Sequence, residues 1–327
     1  MNSKELSGKK VLVTGATGFI GYRLAEILAR DQQAKVTGAG RKLDKAGKLK
    51  DFGVELLALD LTSEQELDNS LTGVDFVFHC AGALGGDDKT AEMVNELATR
   101  KIVETAACNG VKRIVHISTV GVYDMTQSDT LDEKTPLALD HPSNYPRTKA
   151  RGEKLAFKTG KLNDVEVVAI RPSMVYGPGD GVWTTMMYKN VCEGKPVFLG
   201  DGNYSFNPVY LDDVVDAMIK AATAEGVNGE AFNISSEVTT WKHFMNYYGD
   251  ACNKKPKGIP VFMAKLMAAA NKIPGVQTPI DKGFIEMATS NKFFPVDKAG
   301  KMLNWKPNTS LEEGMEKTIA WLKNRNT

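Results

Sequence analysis

The sequence predicts a doubly wound α/β fold: a mostly parallel sheet with helices on both faces, joined to a smaller, mainly helical C-terminal lobe. Three observations predict it. Short apolar runs alternate with longer amphipathic stretches through roughly the first 170 residues. A glycine-rich turn follows the first apolar run directly. After Pro172 the alternation gives way to turn formers and then to helical patterns.

The elements follow in order. KVLVTG (10–15), AKVTGAG (34–40), VELLAL (54–59), DFVFHCAG (75–82), RIVHIST (113–119) and VEVVAIRP (165–172) read as strands. Most carry Val, Ile or Leu on both faces, as strands covered by helices on both sides must. Helical patterns between them include 20–31, 90–110 and 143–160, the last two ending on Gly110 and Gly160 as stop signals. VYGPGDGV and LGDGNYSFNPVY are dense in turn formers, and helices are expected at 211–224, 239–252, 260–271 and 310–323. GEAFNISS (229–236) reads as a strand returning to the first lobe. The division is therefore residues 1–172 with a returning segment near 205–236, against 173–204 plus 237–327.

Composition narrows the function classes. With 41 basic and 40 acidic side chains the net charge is +1, which gives no electrostatic footprint for nucleic acid. The cysteines at 80, 108, 192 and 252 form no CxxC pair and no cluster with the four histidines, so neither a disulfide nor a metal site is expected. A reducing, cytoplasmic setting follows. The N-terminus lacks the apolar run of a secretory signal. IPVFMAKLMAAANKIPG (259–275), broken by Lys265 and Lys272, is too short and too charged to span a membrane. A helix over a pocket or subunit surface is expected there, with loose membrane contact the lesser alternative.

TGATGFIG places Gly15, Gly18 and Gly21 between a strand and an amphipathic helix, the context in which a glycine triplet holds a dinucleotide. Gly15 permits the tight turn, Gly18 lets the backbone approach a pyrophosphate, and Gly21 permits close helix packing. Thr17, Phe19 and Ile20 belong to the same turn. This makes the fold Rossmann-type and residues 1–172 the dinucleotide-binding domain. NAD-binding versions place an acid at the end of the second strand to hold the ribose 2′-hydroxyl. Gly40 stands there, followed by Arg41 and Lys42, which suits a 2′-phosphate; NADP(H) is favoured over NAD(H). Asp60 and Leu61 after the third strand, and Cys80, Ala81 and Gly82 after the fourth, are expected to line the adenine and its ribose, with Ala83 on the substrate side.

In SNYPRTKARGEKL (143–155) Tyr145 and Lys149 share one helix face, and no other of the nine tyrosines has a lysine four residues on. TGATGFIG, HCAGA, VHISTVGVY, YPRTK, RPSMVYGPGD and VYLDDVVDA, in that order, resemble the extended short-chain dehydrogenase/reductase family, also called the NAD-dependent epimerase/dehydratase family. The resemblance covers nearly the whole chain. It implies that Tyr145 is the general acid or base at a substrate oxygen and that Lys149 binds the nicotinamide ribose and lowers the phenol's pKa from its usual value near 10. It implies a hydroxyl on the same oxygen, Thr119 before Ser118, and cofactor contact at Asn95, Pro172 and Ser173. The implied reaction is hydride transfer between nicotinamide C4 and a secondary alcohol or ketone. It further implies a homodimer packed through 88–108 and 144–159.

Departures from the family pattern narrow the branch. Val120 and Gly121 follow Thr119 where dehydratases carry Asp and Glu. Met174 and Phe206 stand where nucleotide-sugar enzymes place polar contacts to the diphosphate, so both are expected to line a pocket for a less charged substrate. The pattern resembles the 3β-hydroxysteroid dehydrogenase-like branch, in which a helix like 260–271 borders the substrate pocket. A flat, apolar alcohol or ketone is expected, with a nucleotide-sugar 4-epimerase or 4-reductase, or a non-catalytic NADP(H)-binding regulator, as alternatives.

Overall fold

The computed structural model describes residues 4–271, 278, 280 and 282–325. Lys272 and the residues after it in the 259–275 stretch, and residues 1–3 of the N-terminus, lie outside the described residues.

The first lobe is built from β1 (Lys10–Thr14), α1 (Phe19–Arg30), β2 (Lys35–Gly40), β3 (Glu55–Ala58), α2 (Glu64–Leu71), β4 (Phe76–His79), α3 (Asp88–Glu92), α4 (Ala98–Cys108), β5 (Arg113–Ile117), α5 (Asn144–Leu162) and β6 (Glu166–Pro172). The chain continues through β7 (Met174–Tyr176), α6 (Met187–Cys192), β8 (Pro196–Leu199), β9 (Ser205–Phe206), β10 (Pro208–Tyr210), α7 (Leu211–Thr223), β11 (Ala231–Ile234), β12 (Thr239–Thr240) and α8 (Trp241–Cys252). It closes with β13 (Lys257–Ile259), α9 (Val261–Ala270), α10 (Lys282–Ala288), α11 (Asp297–Leu303) and α12 (Leu311–Arg325).

Seven parallel strands form the main sheet in the order β11-β6-β5-β4-β1-β2-β3. Strand order reverses between β1 and β4, and a crevice opens at the carboxyl ends of the strands there. Burial explains the apolar runs: Val11, Leu12 and Val13 are essentially inaccessible on both faces of β1. One face packs under α1, α7 and α11 through Leu24, Leu28, Val214 and Trp305. The other packs under α2, α4 and α5 through Leu67, Ile102 and Ala156. The returning strand is β11, which pairs with β6 along its whole length, as expected from GEAFNISS.

Two expectations are corrected. Gly160 does not stop α5, which runs on to Leu162. A Cβ at Gly160 would sit 2.6 Å from Val167 and 2.9 Å from the Val165 carbonyl, so the residue serves helix–strand contact. The expected absence of a disulfide also fails: Cys192 and Cys252, the last residues of α6 and α8, are bonded to each other. Sequence spacing hid the pair, because the two residues are 60 apart and meet only through packing of the two helices.

The second lobe has its own core, built on a tight aromatic cluster. Phe206 lies between Trp241, Phe244 and Trp183, with ring centroids 4.8, 4.5 and 5.7 Å away. The acids of VYLDDVVDA fasten α7 to its neighbours. Asp212 takes a bidentate bond from Arg23 on α1 at 2.8 and 2.9 Å. Asp213 accepts the backbone N–H groups of Asn308 and Thr309 at 3.0 and 3.2 Å.

Candidate active site

The glycine turn lies at the strand-order reversal. Gly15 has φ +70°, and a Cβ there would meet Ala81 N at 2.7 Å, so β1 and the loop after β4 touch through bare backbone. A Cβ on Gly21 would run into the Gly15 carbonyl oxygen. No side chain caps α1 at Gly18. A cavity of about 280 Å³ opens beside this turn. Of the predicted cofactor residues, Gly15, Thr17, Gly18, Arg41, Asp60, Leu61, Cys80, Ala81 and Gly82 line it. The glycine cradle and the uncapped helix N-terminus fit a dinucleotide pyrophosphate.

Other predicted residues stand elsewhere. Lys42 is exposed and outside the lining. Phe19 packs beside Gly179 of the YGPGD loop, where a Cβ would lie 3.6 Å from its ring. Ile20 and Gly21 sit in the first turn of α1, Ile20 packing toward the first-lobe core. Gly40 has a reason of its own: a Cβ there would come within 2.8 Å of the Thr17 side chain, so an acid at this place requires Thr17 to move. Sequence reading did not single out Thr14, Leu59, Thr62, Met93 and Val94, which also line the cavity. A larger groove of about 670 Å³, lined by Gln32, Asp216 and Lys301 among others, contains none of the predicted residues, so size alone does not locate the chemistry.

Asn95 is buried, not exposed on a helix face, because the helix running from α3 into α4 widens to π geometry over Met93–Leu97. Its side chain accepts from Ala83 N at 2.8 Å and donates to Ala83 O at 3.0 Å and to Thr148 Oγ1 at 2.9 Å. The carboxamide thus ties the loop after β4 to α5. Gly152 lets α5 approach, since a Cβ there would collide with the Asn95 carbonyl.

Lys149 is buried and donates from Nζ to the Ile117 carbonyl at 2.6 Å. Burial lowers its pKa to about 8, opposed by the Glu153 carboxylate and Cys80. Lys149 itself is not among the residues that line the cavity. Two stacked histidines share this layer. His79 holds Thr14 and Thr99 hydroxyls at 2.8 and 3.1 Å, and its ring lies 5.4 Å from that of His116. Burial, then the Lys149 charge, lowers His79 to about 3 and pushes His116 down as well, so both rings are neutral.

Tyr145 is half-buried at the start of α5, with the Thr119 side chain near enough to its phenol to lower the phenol's pKa. Lys149 alone does not give the expected depression of its pKa, to which the charge of an oxidised nicotinamide also belongs. Burial raises it to about 12, with only the Thr119 side chain acting downward. The physical reason is that burial outweighs the Thr119 influence, while the Lys149 ammonium, held on the Ile117 carbonyl, is not among the causes acting on the phenol. Thr119 Oγ1 also accepts from Gly121 N at 3.1 Å, whereas Ser118 is buried with its hydroxyl unpartnered. Geometry therefore favours Thr119 as the hydroxyl working with Tyr145.

Glu153 and Arg171 form a buried ion pair that sequence reading missed; the signal was Glu153 standing four residues beyond Lys149, on the same helix face. Arg171 also donates to Tyr123 at 2.9 Å, and Tyr123 to Asn233 at 2.6 Å. Pro172 ends β6, and Ser173 is bonded to Ser235 at 3.1 Å. Ala83 is half-buried on the loop held by Asn95. The substrate contact expected of Phe206 fails, because that side chain is 0% exposed inside the aromatic cluster. Met174 is buried in the same core.

Residues 11–235 match the model of the NAD dependent epimerase/dehydratase family. The chain belongs to that family. It is an NAD(P)-dependent enzyme of short-chain dehydrogenase/reductase type acting on CH–OH and C=O groups. It is 26% identical to the decarboxylating sterol-4-alpha-carboxylate 3-dehydrogenase of Saccharomyces cerevisiae, over 95% of this chain and 97% of that protein. It is also 26% identical to the UDP-glucose 4-epimerase of Mycolicibacterium smegmatis, over 97% of this chain and 99% of the other. The structure of UDP-glucuronic acid 4-epimerase from Bacillus cereus in complex with NAD superposes with a TM-score of 0.77 at 22% identity, covering 96% of each chain. Among the described residues no helix is long and apolar enough to cross a membrane.

Proposed function

We propose that this enzyme interconverts a secondary alcohol and a ketone on a flat, largely apolar molecule, using NADP(H). The observation that carries the reading is that the start of α5 brings Tyr145 and Lys149 against the end of β5, beside Thr119. Lys149 is anchored on the Ile117 carbonyl at the end of β5, and the Tyr145 phenol lies near the Thr119 side chain. The dinucleotide would supply or accept the hydride at its nicotinamide C4. Gly15, Gly18 and the first turn of α1 would hold its pyrophosphate, and Lys149 its nicotinamide ribose. In the reducing direction Tyr145 gives its proton to the substrate oxygen while Thr119 orients that oxygen. In the oxidising direction the ionised phenol takes the proton back.

Arg41 in the cavity wall, with Gly40 beside it, supports NADP(H); Lys42 adds charge only from outside the lining. The apolar substrate rests on exposed apolar side chains at the carboxyl ends of the strands. Leu84, on the loop after β4, is 73% exposed, and Gly86 of that loop accepts a bond from Asn144, next to Tyr145. Val182 and Met186, after β7, are also exposed. The yeast relative acts on a sterol, by its name, which agrees with this reading. The second reading, a nucleotide-sugar 4-epimerase or 4-reductase, draws on the mycobacterial relative.

A cofactor-consumption screen separates the two. NADPH oxidation with steroid-like or flavonoid-like ketones supports the first reading. A thermal shift with UDP- or dTDP-sugars, without turnover of the apolar ketones, overturns it. A homodimer through the α4 and α5 faces is part of the proposal, with Met93 and Leu97 exposed nearby. So is a cytoplasmic location, which cell fractionation tests and against which the Cys192–Cys252 bond stands.

A further inference from the structure

The α9 helix is apolar apart from Lys265, yet only part of it is covered. Ala264 is fully buried, and Met267 and Ala268 pack on the second-lobe core. Phe262, Met263 and Leu266 face outward at 64%, 45% and 66% exposure. Their spacing puts the three on one stripe of the helix. A cluster of large apolar side chains left in water marks a contact surface.

Charge around the stripe identifies the partner. The thirty residues from 251 to 280 contain five lysines and no aspartate or glutamate. Lys254, Lys255, Lys257 and Lys265 are all exposed, and none forms an ion pair among the described residues. Two acids on neighbouring elements carry lysines of their own, Glu193 with Lys195 at 2.6 Å and Glu286 with Lys282 at 3.6 Å, while the exposed Asp201 and Asp250 hold no lysine among the described residues. A second copy of the chain fits this surface poorly, because a two-fold contact would bring the same lysines face to face. An anionic bilayer surface satisfies both features, taking the apolar side chains between its headgroups and the ammonium groups onto its phosphates and carboxylates.

We propose that the outer face of α9, with the lysines that flank it, docks the enzyme on an anionic lipid bilayer. The helix lies in the interface and does not span it. The proposal is independent of the substrate reading, since it concerns lipid and not turnover.

The test is co-sedimentation of the full chain with phosphatidylcholine vesicles, with and without phosphatidylserine. Binding is expected to the phosphatidylserine vesicles and to weaken as salt rises. Phe262→Ser with Leu266→Ser should reduce partitioning at least tenfold, with thermal midpoint and far-UV dichroism retained because both side chains face water. Replacing Lys254, Lys255, Lys257 and Lys265 by Gln keeps the apolar stripe and should remove the preference for phosphatidylserine, at about fivefold per lysine. No partitioning of the parent chain, equal partitioning of either variant, or a concentration-dependent dimer dissolved by the serine variant would overturn the proposal.

Discussion

Glu153→Gln perturbs fold and chemistry through one carboxylate. Glu153 is 1% exposed and holds Arg171, itself 4% exposed, through two hydrogen bonds. Removing the negative partner leaves the guanidinium buried against only the Tyr123 hydroxyl, and breaking such a pair costs about 3–5 kcal/mol. The same carboxylate is the largest influence holding the Lys149 pKa up against burial. Its loss therefore moves Lys149 below about 8. Urea unfolding reads the first effect, and the pH dependence of ketone reduction reads the second. The alkaline fall in rate, where the ammonium loses its proton, should shift to lower pH. Replacing Glu153 and Arg171 together by Met should recover most of the stability but not the alkaline limb, because a buried pair replaced by apolar groups is often neutral. A Gln variant that loses less than about 1 kcal/mol and keeps its alkaline limb in place would refute the reasoning.

Three further outcomes are expected. Gly21→Ala drives a methyl into the Gly15 carbonyl and should destabilise by about 1–3 kcal/mol, with weaker cofactor binding by fluorescence titration. Arg41→Ala should weaken NADPH binding by roughly tenfold or more while leaving NADH nearly unchanged, the loss of a charge-assisted bond; equal loss for both cofactors would contradict the 2′-phosphate assignment. With Tyr145 at about 12 and Lys149 at about 8, alcohol oxidation should speed up with pH through neutrality, as the ionised phenol grows, and level off above about 8 as Lys149 neutralises. Stability follows a related sign: Lys149 binds its proton less tightly folded than at its usual 10.5, so its contribution rises with pH from about 8 to 10.5.

The sheet was legible because each strand repeats one physical signal, apolar residues on both faces, and because the glycine turn falls at a strand end. Tyr145 and Lys149 were legible through a spacing that a helix converts into one face. Tertiary relations were not. The phenol's raised pKa depends on how far packing buries Tyr145. Phe206 reads as a pocket residue by position, yet it is consumed by packing against Trp241 and Phe244. The Cys192–Cys252 bond and the Glu153–Arg171 pair join residues that come together only through packing. Gly160 shows the same limit at short range: its role is to admit Val167, which sequence pattern mistakes for a helix end.

Proton transfer by the Tyr145 phenol is the step on which the catalytic account depends. Single-turnover hydride transfer from NADPH to an accepted ketone, measured for the parent enzyme and Tyr145→Phe, tests it most directly. The account predicts a rate lower by about 10²–10⁴ in the variant, with NADPH affinity and thermal midpoint retained. A variant within a few-fold of the parent rate would contradict it.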